Sequence, residues 1–366
     1  MSLSEIIIEK IKNEGPLSFR DFMEMSLYYP ELGYYTSTTD KIGKNGDFYT
    51  SSDLTSLFGA IIGKQIEEMW EVAGMEPFTI IEFGAGTGLL CHDILDYLKN
   101  NMKLYDELNY CIIEKSPGLR EKQKSHLHEK VSWHNSTEEI QAVTGCVLSN
   151  EVVDNFSVHQ VVMKDELMEV FVDYKNGFTE LLQPAKKELT NYFAELSVSL
   201  SRDFRTEINL EAIEWLKGIA ACLKKGFVIT IDYGYPSVEL YRQCRSDGTL
   251  ICYNKHMISN DPYSDIGKQD ITAHVNFSAL KHWGSKYGLE PCGFTNQAAF
   301  LLSLGFDNNL RLMNEQLSGD IIAICRKQAF LKYTMLVDMG SKYKVLIQQK
   351  GLPQKELSGL KHSYCC

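Results

Sequence analysis

The chain has 366 residues, 44% of them apolar and 23% charged, with a formal net charge of −11. This is the composition of a globular protein with one large core or two ordinary ones, and no apolar run approaches the length of a membrane span. The acidic balance also excludes nucleic-acid backbone as a main partner, since phosphate binding needs a basic footprint, and leaves room for a cationic substrate.

The N-terminal text MSLSEIIIEKIKNEG reads as a short amphipathic helix, with Glu5 and Glu9 among its apolar residues. It has neither a small-residue cleavage site nor the arginines of a transit peptide. Ser18 to Leu27 is expected to be a second helix with Ser18 as N-cap. Tyr28, Tyr29, Tyr34 and Tyr35 then cluster around Pro30 and Gly33. A turn at Gly46-Asp47-Phe48 leads to Thr50-Ser51-Ser52-Asp53 and a longer helix from Ser51 to Ala73. Residues 1–75 are therefore expected to form an N-terminal helical cap, and 76–366 the main body.

From Phe78 the pattern alternates between strand and helix. Expected strands are Phe78–Phe83, Asn109–Glu114, Val131–His134, Gly145–Asn150 and Phe227–Tyr233. They are continuous apolar runs, as in a parallel sheet covered by helices on both faces. Two β-rich runs around Lys164-Asp165-Glu166 suggest an antiparallel hairpin in an insertion near 157–206. A long polar loop follows Tyr233, then a helix from about Phe277 to Tyr287. A mostly helical insertion spans 297–337, and Lys342–Gln349 reads as a last strand. The expected fold is α/β: a doubly wound, Rossmann-like sheet with an N-terminal cap and later insertions.

Ligands of such sheets sit beyond the carboxyl ends of the strands, where strand order reverses. The first strand delivers Glu82 and the loop Gly84-Ala85-Gly86-Thr87-Gly88, the second Glu114, the fourth Asn150-Glu151, and the fifth Asp232. Glycines let a ligand approach the backbone closely. A dinucleotide loop would read G-x-G-x-x-G, but here the third glycine comes one place early, and no Lys-Ser/Thr follows to make a phosphate loop. Glu114 is placed to accept ribose hydroxyls. Glu82, two residues before the first glycine, repels a pyrophosphate and attracts a cation. E-x-G-x-G-x-G is the loop of enzymes that use S-adenosylmethionine, whose sulfonium and ammonium are both positive. The cofactor-binding set is therefore Glu82, Gly84, Gly86, Thr87, Gly88, Glu114 and Asn150.

The stretches LYYPELGYYTS from Leu27 and GKNGDFYTSSDLTSLFG from Gly43 resemble the signature of the MidA family of S-adenosylmethionine-dependent methyltransferases. The resemblance recurs in EFGAGTG, EKSPGLR, SNEVVDNFSVHQV, DYGY, DITAHVNFSAL, GFTNQAAFLLSLG and MGSKYKVL, and so runs through the whole chain. The chain departs from the family pattern at Ser52-Asp53, where Pro-Glu is usual, and at Asn276, where Asp is frequent. The resemblance implies methylation of a protein arginine, since the family includes the mitochondrial assembly factor that methylates a core subunit of respiratory complex I. Without a transit peptide, a bacterial, cytoplasmic member is expected.

Methyl transfer from a sulfonium is an in-line displacement, so the protein mainly positions the acceptor and excludes water. A guanidinium acceptor needs carboxylates that hold it bidentately. Glu151 and Asp154 are the expected pair, with Asp47 closing the site from the cap. The ten cysteines form no C-x-x-C pair and no zinc spacing, which suits a reducing cytoplasm and no metal site. Methylation of a small molecule or of another protein side chain stays open at this point, as does a non-catalytic assembly module that keeps the pocket.

Overall fold

In the computed structural model, which describes residues 1–37, 51–127, 130–254, 257–315 and 321–361, the five apolar runs form a parallel sheet. Its strands are β1 (Phe78–Phe83), β2 (Leu108–Ile113), β3 (Val131–His134), β4 (Val143–Asn150) and β5 (Leu223–Tyr235), in the order 3-2-1-4-5. Two further strands, β6 (Glu290–Asn296) and β7 (Tyr343–Lys350), extend the β5 edge. There β7 pairs antiparallel with β5, and β6 antiparallel with β7. This is a doubly wound α/β sheet. The order reverses between β1 and β4, and register aligns their ends: Phe83 lies opposite Ser149, and Asn150 opposite Ile231 of β5.

Each face carries its own apolar core. Helices Ser56–Val72 and Leu89–Leu98 bring Phe58, Ile62, Trp70 and Ile94 against one face, all but excluded from solvent. Helices Glu211–Cys222 and Phe277–Lys286 bring Leu216, Ile219 and Leu280 against the other. Each such side chain contributes roughly 1.5–3 kcal/mol of hydrophobic stabilisation. The first two helices cross closely at Gly59, where a Cβ would stand 2.4 Å from that of Asp93.

The structure corrects or extends four expectations. The long helix is two, Ser51–Leu54 and Ser56–Val72, broken at Thr55. Thr55 is extended (φ −164°) and its hydroxyl accepts from Leu57 N–H, because a hydroxyl residue caps better than it propagates. Although grouped with the cap in sequence, Ser56–Val72 packs in the core of the central sheet. The hairpin, His159–Met163 with Leu167–Tyr174, belongs to a five-stranded antiparallel sheet that also takes in Leu17–Ser18, Phe178–Pro184 and Arg205–Ile208. The polar segment after Tyr233 contains a three-stranded sheet: Ile251–Asn254, Met257–Ser259 and Asp270–Thr272.

The two N-terminal helices, Leu3–Glu14 and Phe19–Tyr28, are capped by Ser2 and Ser18. They bury Ile7, Phe19 and Phe22 against Val170, Val172 and Ile271 of these smaller sheets. This second body meets the end of β4 where the Tyr28 hydroxyl donates to the Asn155 carbonyl at 3.1 Å. Among the described residues no helix is long and apolar enough to cross a membrane.

Candidate active site

The glycine loop needs its glycines. Gly84, Gly86 and Gly88 have φ of 58°, 53° and 84°, the left-handed region that side chains disfavour. A Cβ on Gly84 would sit 3.0 Å from Val152 Cγ2. Gly88 opens the helix Leu89–Leu98 without a capping side chain. A residue that the sequence reading missed, Gln123, ties the loop to the end of β2. Its Nε2 donates to the Gly86 carbonyl at 2.9 Å and to Glu114 Oε2 at 3.1 Å, while Trp133 Nε1 fixes its oxygen. The other Glu114 oxygen accepts from Ser116 N–H at 2.9 Å.

Glu82 is buried beneath the loop and accepts from the Tyr110 hydroxyl at 2.7 Å. Burial pushes its carboxyl up to about 7, against the lowering effect of Tyr110, with the charge of Glu114 adding to the rise. Burial likewise raises Glu114. Asn150 at the end of β4 turns its Nδ2 towards Glu151 at 3.3 Å, and its buried Oδ1 has no partner among the described residues.

Past β4 the chain turns sharply. Glu151 has φ of 56°, a strained value for a non-glycine, and its N–H donates to the Ile231 carbonyl at 2.9 Å. Asp232, at the end of β5, builds the turn: its Oδ2 accepts from the backbone N–H groups of Val152, Val153 and Asp154 at 3.3, 2.9 and 3.3 Å. Asp232 is therefore a backbone anchor. Asp154 follows in a 3-10 turn, buried and facing the same cavity as Glu151.

Desolvation raises the Glu151 carboxyl to about 8. The Tyr343 hydroxyl opposes that rise, the charge of Asp154 adds to it, and Asn150 and the Ser51 N–H oppose it more weakly. Burial also raises Asp154 and Asp232, the latter further lifted by the charges of Asp154 and Glu151. Three carboxyl groups crowd one corner, and protonation or a bound cation relieves them.

A cavity of about 1370 Å³ joins the glycine loop to this acidic turn. Among the described residues its wall carries nine Asp and Glu side chains against two Lys. Tyr35 lines it too, and its hydroxyl donates to Asn155 Oδ1 at 2.7 Å and to Asp270 Oδ2 at 2.9 Å. His274 stands between the rings of Tyr233 and Tyr235, and burial lowers its pKa to about 4, so it is neutral. Tyr34 is core, His159 pairs with buried Glu169 away from the cavity, and Asn276 caps the helix Phe277–Lys286. Asp47 and its Gly-Asp-Phe turn lie outside the described residues.

The donor set fits S-adenosylmethionine. It combines a glycine cradle that a Cβ would fill, two buried carboxylates, an orphaned amide oxygen suited to an ammonium, and an anionic wall. A doubly wound sheet with this cradle at its switch point defines a methyltransferase of the S-adenosylmethionine-dependent class. A family model described as "Putative S-adenosyl-L-methionine-dependent methyltransferase" matches residues 61–295, and the chain belongs to that family, the MidA-like group its motifs resemble. It is similar to the mitochondrial protein arginine methyltransferase NDUFAF7 homolog of Drosophila melanogaster, at 26% identity over 96% of this chain and 85% of the fly protein. The Bos taurus protein arginine methyltransferase NDUFAF7 is 25% identical over 97% and 84% of the two chains. A crystal structure of a Burkholderia thailandensis protein bound to S-adenosyl-homocysteine has a TM-score of 0.87, with 28% identity over 99% of this chain and 95% of that one. The chain is an S-adenosylmethionine-dependent methyltransferase.

Proposed function

We propose that the methyl acceptor is an arginine side chain of a protein, held by Glu151 and Asp154. The observation that carries this reading is the pair itself: two carboxyl groups raised by desolvation, Glu151 also by the charge of Asp154, facing one cavity beside the glycine loop. A guanidinium neutralises both and matches them with forked N–H donors, which a lysine ammonium does less well. The names of the mitochondrial relatives agree with an arginine acceptor. The motif resemblance suggests a subunit of the respiratory complex I type.

On this reading the glycine loop, Glu82, Glu114 and Asn150 hold the donor, which when bound supplies an electrophilic methyl group on a sulfonium. Glu151 and Asp154 orient one guanidinium nitrogen towards it. Replacing a guanidinium N–H by N–CH₃ releases a proton, and the carboxylate of Glu151 beside that nitrogen is the group placed to accept it.

Incubation with methyl-labelled donor and a lysate from cells lacking the gene tests the reading. The expected product is a labelled protein band whose acid hydrolysate contains methylarginine. Label recovered only in lysine, carboxyl esters or small molecules would reject it.

A further inference from the structure

We propose that the cavity mouth is a docking surface for a polypeptide that presents the acceptor arginine between apolar residues. The proposal rests on the arginine reading above and adds how the substrate is recognised.

Helix Ile321–Lys332 and its continuation Tyr333–Asp338 are anchored by Leu331 and Met335, which are 2% and 0% exposed. The same segment leaves Phe330, Tyr333 and Val337 57%, 62% and 57% exposed. On the strand Met257–Ser259, Met257 and Ile258 are equally open, at 73% and 68%. Single exposed apolar residues are ordinary, but Phe330, Tyr333 and Ile258 all belong to the wall of the acidic cavity. Apolar rim and anionic floor are therefore one continuous surface.

The charge pattern selects the occupant. The floor, with Glu151 and Asp154, calls for a cation, whereas Phe330, Tyr333 and Ile258 at the rim offer apolar area. A small cationic metabolite would satisfy the floor and leave the rim wet. A second copy of the chain would cover the mouth against its own acceptor. The cavity also exceeds the roughly 300–1,000 Å³ of small-ligand sites, so there is space for an extended segment beside the donor. A peptide with one arginine flanked by aliphatic or aromatic residues matches floor and rim together.

The test uses fluorescein-labelled peptides and the full chain saturated with S-adenosyl-homocysteine, read by anisotropy. One peptide has arginine flanked by Leu and Val, a second has glycine flanks, and a third keeps the apolar flanks with citrulline for arginine. The apolar arginine peptide is expected to bind about ten-fold tighter than the glycine peptide, the gain from burying one or two apolar side chains. The double variant Phe330→Ser, Tyr333→Ser should erase that advantage without changing donor affinity. Equal binding of the two arginine peptides, or an advantage that survives the double variant, overturns the docking surface while leaving the arginine reading intact. Citrulline binding as well as arginine, with no effect of Glu151→Gln, overturns the arginine reading instead. Absence of binding by all three peptides overturns both. A dimer in sedimentation that the double variant converts to monomer makes the rim a self-interface and also overturns the proposal.

Discussion

The hydroxyl of Tyr343 on β7 donates to Glu151 Oε2 at 2.8 Å, joining residues 192 positions apart. Antiparallel pairing sets Tyr343 opposite Tyr233 of β5, so the last strand of the chain also steers the carboxylate past the end of β4. The bond favours the ionised carboxylate and opposes the effect of desolvation. Glu151 has to be ionised to hold a guanidinium, so kcat/KM for the acceptor should rise with pH and level off above about 8. Tyr343→Phe should move that rising limb to higher pH and leave donor affinity unchanged. A pH profile identical in the two proteins would remove Tyr343 from this role.

Gly86→Val tests the cradle. Valine at a φ of 53° costs roughly 1–2 kcal/mol and places a branched side chain where the donor would lie. Donor affinity by calorimetry should fall at least about 100-fold, near 3 kcal/mol, while circular dichroism shows a folded protein. Undiminished affinity would put the donor elsewhere.

Buried carboxyls leave a signature in stability. Glu82 and Glu151 titrate in the folded protein near 7 and 8, above their unfolded value, so the folded state binds more protons in between. Their stabilising contribution is full below about 4.5 and is lost as pH rises through 7 and 8. The apo protein should therefore melt at progressively lower temperature from pH 5 to pH 8.5, and Glu82→Gln or Glu151→Gln should flatten part of the decline. A melting temperature that rises over this range in the apo protein would contradict the burial of these groups.

Asp232 is the structural member of the trio. Its Oδ2 accepts three backbone N–H groups and its Oδ1 accepts from Tyr233 N–H at 2.9 Å. In Asp232→Asn the amide NH₂ must face one of these donors, which should cost about 1–3 kcal/mol of stability. Denaturant midpoints would show it, and a variant as stable as the parent would argue against the anchor.

The parallel core was legible because strands buried on both faces are largely apolar, and β1, β2, β4 and β5 read that way, whereas β3 is a short, partly exposed edge strand. The glycine loop and its acids were legible because they are local to strand ends. Contacts between distant segments were not. Gln123 sits in a polar helix and looks like any surface residue, and Tyr343 lies in a strand whose apolar pattern hides its partner. The Thr55 break was missed because the apolar run Leu54 to Ile66 continues the helical pattern across it. Strands such as Ile251–Asn254 are too short for a period-two signal, and β6 is interrupted by Pro291 and Gly293, where its register with β7 shifts. In sequence Asp232 was one more acid at a strand end, and only its bonds to the backbone of residues 152–154 show it to be an anchor.

Glu151→Gln provides the most direct measurement. The change keeps size but turns one accepting oxygen into an amide NH₂ and removes the charge that would hold a guanidinium. Calorimetry with S-adenosyl-homocysteine should give the same affinity as the parent. Labelled-methyl transfer to arginine in the gene-deleted lysate should fall by about 100-fold or more, near 2.7 kcal/mol of transition-state stabilisation. Transfer at the parental rate with donor affinity intact would contradict an arginine acceptor held at this turn.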